Sequence, residues 1–153
     1  MAFGFLVSAP DRALIGSDAL ATIAATYERH FLIGNFQVEL SLLSKPEIQE
    51  LNATYRSINE PTDVLSFPTF AGIAEIQSVP KEVTALLGSI MICPEKAEAY
   101  NETLPQLVHH GLLHLLGLDH EEDMPAWQEK EQEVLRELAE AGLMVEGVPN
   151  DTL

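Results

Sequence analysis

Cysteine is nearly absent from this chain, with Cys93 the single example among 153 residues. No intrachain disulfide can form, so a disulfide-stapled scaffold is excluded, a reducing compartment is expected, and Cys93 reads as a buried apolar residue. Long apolar runs are missing too. No stretch approaches the roughly 18 residues of a membrane span, and the start MAFGFLVSAPDR has no basic segment ahead of an apolar one, so the cytoplasm is the expected location. Positive charge is scarce: 8 Lys and Arg stand against 24 Asp and Glu, a net charge of −16. Such a surface repels anions within a Debye length, which argues against DNA, against a membrane surface, and against nucleic acid held by a basic patch alone. Low-complexity tracts and internal repeats are absent as well. What remains is an ordinary globular composition, 46% hydrophobic with 9 Gly and 9 Pro, and residues 1–153 are expected to form a single domain.

The pattern along the chain predicts an α+β fold. Residues 3–8 form a short apolar run closed by Pro10, read as a buried strand. From Ser17 as N-cap, Leu20, Ile23, Ala24, Tyr27 and Phe31 recur at helical spacing. Phe36, Val38, Leu40 and Leu42 alternate with polar residues, the signature of a half-exposed strand that is expected at a sheet edge. Ser44-Lys45-Pro46-Glu47 is a capping box that opens a helix running to Arg56. Residues 63–68 and 86–92 read as two further strands, and residues 70–82 between them, without periodicity, as the most mobile loop. Thr103 caps a helix that is apolar nearly all round, which makes it central. Asp123 is expected to cap a last helix with Trp127, Val134, Leu138 and Ala141 on one face and Gly142 at its end. That gives about four strands and about five helices, in keeping with the periodicities. Residues 121–146 hold nine acids against Lys130 and Arg136, read as a solvated helical face.

Four of the five histidines lie within residues 109–120. His110 and His114 are four apart, so both imidazoles leave one helical face a turn apart, the separation at which two nitrogens bind one metal. Gly117 breaks the helix and lets the chain turn back, so that His120 can supply a third nitrogen. The order His-x-x-x-His-x-x-Gly-x-x-His is the ligand spacing of the metzincin peptidases, but Gly111 stands where those enzymes carry a glutamate general base. Three imidazoles leave a coordination position for water, and they suit one Zn²⁺ by default. The bland alternative, hydrogen-bonded core or surface histidines, is weakened by three falling at this spacing. His109, about 100° around the helix from His110, is assigned to the surface or to the support of a ligand. Asp119 is either such a support or a turn-stabilising residue, and His30 is expected to interact with the C-terminus of its own helix.

The second informative stretch is LNATYR followed by PTDVLSFP, residues 51–68. Arg56, at a helix end next to a strand, offers forked donors to a phosphate and charge stabilisation in phosphoryl transfer; the alternative is an ion pair with Glu60 or Asp63. On LNATYRSINEPTDVLSFP and HGLLHLLGLDHEE the chain resembles the YbeY family, bacterial metal-dependent endoribonucleases of small-subunit ribosomal RNA maturation and ribosome quality control. The resemblance spans roughly residues 36–141 and implies an α+β fold, a small mixed sheet of about four strands surrounded by about five helices with the histidine helix central, which agrees with the element order. It implies that His110, His114 and His120 are zinc ligands, that Arg56 acts in RNA cleavage, and that Gly111 belongs in the motif. It also implies ribosomal RNA as substrate and a ribosomal protein or an assembly GTPase as partner. Ser89 stands where the family often has Asp, and Leu118 where an aromatic residue is common. Two other readings compete. One is a peptidase-like metallohydrolase; the other is a non-catalytic, metal-stabilised interaction protein that docks through its acidic last helix.

Overall fold

A computed structural model describes residues 3–8, 15–31, 34–118 and 125–143. The elements run β1 (Phe3–Ser8), α1 (Ser17–His30), β2 (Asn35–Leu42), α2 (Lys45–Arg56), β3 (Val64–Pro68), α3 (Ile73–Gln77), β4 (Thr84–Ile92), α4 (Pro94–Ala99), α5 (Leu104–Leu116) and α6 (Pro125–Glu140). The fold is α+β, with one four-stranded mixed sheet in the order β1-β2-β4-β3. β1 pairs parallel to β2 and β2 parallel to β4, while β3 returns antiparallel along β4 with Leu65 opposite Met91. A bulge between Gln37 and Val38 leaves Leu87 as the extra residue of β4.

Period-two patterning explains the sheet's two faces. Phe36, Val38, Leu40 and Leu42 are buried, as are Ile90 and Ile92 of β4. With Ile23 and Tyr27 of α1 and the leucines of α5 they form the main core, each such side chain stabilising the fold by roughly 1.5–3 kcal/mol. On the opposite face α2 packs Ile48 onto Leu65 and Cys93, with Leu51, Phe67 and Met91 around them. Cys93 is fully buried, in keeping with its reading as an apolar residue.

Several expectations are corrected. β2 is not an edge but a central strand between β1 and β4; its alternation arises because Gln37 and Glu39 lie on a sheet face left open to solvent. Residues 70–82 hold α3, anchored by Ile73 and Ile76, 3% and 1% exposed. The described residues contain six helices, α4 beginning at Pro94, in keeping with the about five expected. The N-cap of α1 is Gly16, without a side-chain cap, and Ser17 is the first helical residue. On α6, Val134 and Leu138 are buried as expected but Ala141, just past its end, is exposed. The expected cap Asp123 lies outside the described residues.

Candidate active site

α5 carries the centre of the site. Thr103 accepts a hydrogen bond from the Gln106 N–H at 3.2 Å and starts the helix, and every leucine from Leu107 to Leu116 is buried to 2% exposure or less. The apolar surround holds the helix rigidly against β3 and β4. Gly117 ends it at φ 73°, a left-handed conformation that side chains with a Cβ rarely adopt. Its N–H bonds the His114 carbonyl at 3.0 Å and the Leu118 N–H bonds the Leu113 carbonyl at 2.9 Å, a Schellman arrangement that reverses the chain directly after the histidines. His110 is fully buried and His114 half-buried, one turn apart. His120 and Asp119 lie outside the described residues, so among those described no group of three potential metal ligands converges. The donor set present, two imidazoles at i and i+4 above a tight reversal, fits a borderline divalent ion such as Zn²⁺.

Of the two roles expected for His109, the surface one is overturned. The residue is fully buried, and its Nδ1 lies 2.5 Å from the Tyr27 hydroxyl of α1. Burial, and secondarily the neighbouring His110, pushes its pKa down to about 3, so the ring stays neutral and serves as a polar tie between α5 and α1. His30 likewise differs from expectation: its Nε2 meets the Glu137 carboxylate of α6 at 2.8 Å rather than a helix terminus.

A cavity of about 500 Å³ opens beside His114. Its walls come from the end of α2 (Tyr55, Arg56), the approach to β3 (Thr62, Asp63) and β3 itself. The structure therefore places Arg56 and His114, 58 positions apart, on one cavity. Arg56 is exposed and forms no ion pair with Glu60 or Asp63 among the described residues. Asn52, one turn earlier, donates to the Glu60 carbonyl at 2.9 Å and fixes the segment that carries Arg56 toward β3.

The β3 wall has two features that the sequence motif did not announce. Hydrogen bonds from the Cys93 N–H to the Asp63 carbonyl and from the Thr69 N–H to the Leu87 carbonyl set the ladder. Alternation then turns the N–H and C=O of Ser66 away from β4, onto the open edge of the sheet. The Ser66 hydroxyl is buried with no partner among the described residues. Asp63, 8% exposed, accepts from its neighbour Val64 N–H at 2.8 Å and from Thr62 Oγ1 at 3.2 Å.

Near Asp63 sits Glu102, whose two carboxyl oxygens are shielded from water and have no hydrogen-bond partner among the described residues. Burial first, then the neighbouring Asp63, raise the Glu102 pKa to about 8. Neutral pH therefore leaves Glu102 protonated beside Asp63. Folding favours the protonated form, so this contribution is complete below about pH 4.5 and is lost as pH rises toward about 8. Glu102→Gln, which keeps the donor without the charge, is expected to flatten that fall. At pH 8 it should raise stability by about 1–2 kcal/mol, a figure discounted because the side chain is only partly enclosed. Urea unfolding of both proteins across this pH range checks it, and parallel curves would refute the raised pKa.

Two smaller observations bear on the motif. An ideal Cβ at Gly111 would stand 2.7 Å from Ile90 Cδ1, so the residue after the first histidine faces β4 rather than the cavity. Ser89 lies on the sheet's other face, where its hydroxyl donates to Glu39 at 3.2 Å; Leu118 is buried at 2% exposure.

A mixed four-stranded sheet, a buried histidine helix and an arginine on the same edge-strand cavity as His114 define an α+β protein with a cleft suited to a charged ligand. The sequence profile of the family described as endoribonuclease YbeY matches residues 15–139. An endoribonuclease YbeY of Thermoanaerobacter sp. (strain X514) is 37% identical over 132 residues, 76% of this chain and 82% of the relative. That of Aliarcobacter butzleri is 45% identical over 106 residues, 64% and 70% of the two chains. The solution structure of a Thermotoga maritima protein aligns over 95% of this chain and 99% of its own with a TM-score of 0.50 and 27% identity. The chain belongs to the YbeY endoribonuclease family. No helix among the described residues is long and apolar enough to cross a membrane.

Proposed function

We propose that this protein is a zinc-dependent endoribonuclease that cuts single-stranded RNA in the cytoplasm, with small-subunit ribosomal RNA as its substrate during maturation and quality control. The observation that carries the reading is the cavity shared by Arg56 and His114, taken with the relatives' name, endoribonuclease. His110, His114 and His120 hold one Zn²⁺ in this reading. When bound, the ion supplies a Lewis acid and a water of lowered pKa. Arg56 is the catalytic residue: no carboxylate among the described residues pairs with its guanidinium, so its forked donors neutralise charge on the transferring phosphoryl group. The outward N–H of Ser66 is a second donor on the same wall.

The absence of a side chain at Gly111 disfavours peptide hydrolysis, because the carboxylate that a zincin uses has no place there. The net charge of −16 opposes RNA binding, so affinity is expected to be weak, salt-dependent and aided by Mg²⁺ or by a ribosomal protein or assembly GTPase. The exposed acids of α6, Glu129 and Glu140 among them, are the surface for such a basic partner.

The test is cleavage of an end-labelled ribosomal RNA fragment by the purified protein before chelation, after it, and after zinc is restored. Cutting should fall at least about tenfold on chelation and return with zinc. Cleavage indifferent to chelation, or none from zinc-replete protein, would overturn the reading.

A further inference from the structure

A second groove, of about 400 Å³, lies against α2 and is lined by Leu43, Glu47, Glu50, Leu51, Thr54 and Tyr55. Tyr55 belongs to this groove and to the cavity of Arg56 alike. Its ring is 65% exposed, too open to serve the core, yet it is held edge-on by Phe67 with centroids 5.2 Å apart and planes at 67°. An anchored aromatic ring with open surface is a stacking platform. Along α2, positions 47, 50, 51, 54 and 55 fall on one stripe, so the groove's wall is preformed by helix geometry.

The lining selects what enters. Leu43 and Leu51 are half-buried and offer an apolar floor. Glu47 is pinned by its capping box, with Oε1 accepting from the Ser44 N–H at 3.0 Å, and that bond holds its carboxyl below the usual range. Glu50 is exposed and has no partner among the described residues. Two carboxylates repel a phosphate, whereas a flat, uncharged ring with N–H donors on its edge meets the floor, the tyrosine and the free acceptor together.

We infer that this groove is a nucleobase subsite, in which the base of the nucleotide next to the scissile phosphate stacks on Tyr55 and donates to Glu50. The subsite rests on the reading of the Arg56 cavity as the phosphate's place, and it deepens that reading by setting base preference. Carboxylates only accept, so bases with an exocyclic amino group are favoured: adenine, cytosine, and guanine, whose N1–H and N2 amino group donate side by side. Uracil presents a single N–H between two carbonyl oxygens that face the carboxylate unfavourably.

The test measures binding apart from cleavage. Short dye-labelled 2′-O-methyl oligonucleotides of adenosine, cytidine or uridine, which lack the 2′-hydroxyl, are titrated at low salt with Mg²⁺ and followed by anisotropy. The adenosine and cytidine strands should bind about tenfold more tightly than uridine. Glu50→Gln, whose amide both donates and accepts, should bring that ratio below about threefold. Tyr55→Leu should weaken all strands about tenfold, and Tyr55→Phe should retain the stack. Equal binding of all three strands, no binding, or a ratio untouched by Glu50→Gln overturns the subsite. Cleavage of the matching ribonucleotide strands, run alongside, separates the two readings: base-dependent binding without cleavage removes the nuclease and keeps the base site.

Discussion

Arg56→Ala is expected to lower the rate of RNA cleavage about 100- to 1000-fold, the usual cost of one preorganised donor aimed at developing charge, roughly 2.7–4 kcal/mol. The loss should fall on kcat more than on KM, because the guanidinium is worth most when charge accumulates in the transition state. Structure gives a reason to expect a clean result. Arg56 is exposed, forms no ion pair among the described residues, and sits at the last position of α2, where truncation removes no core contact. Unfolding midpoint and zinc content should therefore match the parent protein. Arg56→Lys keeps the charge without the fork and is expected to recover only part of the rate. Wild-type cleavage by Arg56→Ala would remove the arginine from the mechanism and favour a protein that acts by docking; loss of bound zinc would make it a support for the metal site instead.

Why Arg56 was legible in part, and its surroundings hardly at all, follows from how each signal is written. The histidine helix advertises itself twice, through an apolar surface on every side and through ligands at i and i+4, both local patterns. The end of that helix is local too: Gly117 has the left-handed backbone that its position in the motif implied. Arg56 carries only a helix end beside a strand, which many arginines share, and its placement opposite His114 depends on β3 pairing with β4 under α5. Tertiary packing decides such things. Glu102 and Asp63 are 39 positions apart, and nothing near Glu102 marks it as a carboxyl that will be shielded from water beside a second one. Ser66 was visible within PTDVLSFP, but its outward N–H depends on ladder register.

The misread elements have similarly specific causes. β2 alternates because its second face is open, and alternation reports a face, not a position in the sheet. α3 spans five residues, too few for a helical period to emerge, and only the pair Ile73 and Ile76 holds it. The surface alternative for His109 came from its place about 100° around the helix from His110, whereas α1 covers that side and Tyr27 answers the imidazole.

Gly111→Glu, which would recreate the sequence of a zincin, is expected to abolish folding rather than to confer peptidase activity. The ideal Cβ at this position lies 2.7 Å from Ile90 Cδ1 and 2.9 Å from both Cγ1 and Cγ2, so the clash involves the whole side chain and not one mobile methyl. Ile90 is fully buried on β4, paired with β2 on one side and β3 on the other, and has nowhere to retreat. A carboxylate added there is buried without a partner, and the combined cost should exceed about 4–5 kcal/mol, a large fraction of a small domain's stability. Gly111→Ala isolates the steric part: overpacking of about 1–3 kcal/mol, offset by up to about 1 kcal/mol of helix propensity. Adding Ile90→Ala removes the three clashing atoms, so the double variant should lose less than the sum of the two single changes. Urea midpoints of the parent, the two single variants and the double variant measure that coupling. Strict additivity, or a folded Gly111→Glu, would show that α5 can lift from β4, and the absence of a general base would then need an explanation other than packing.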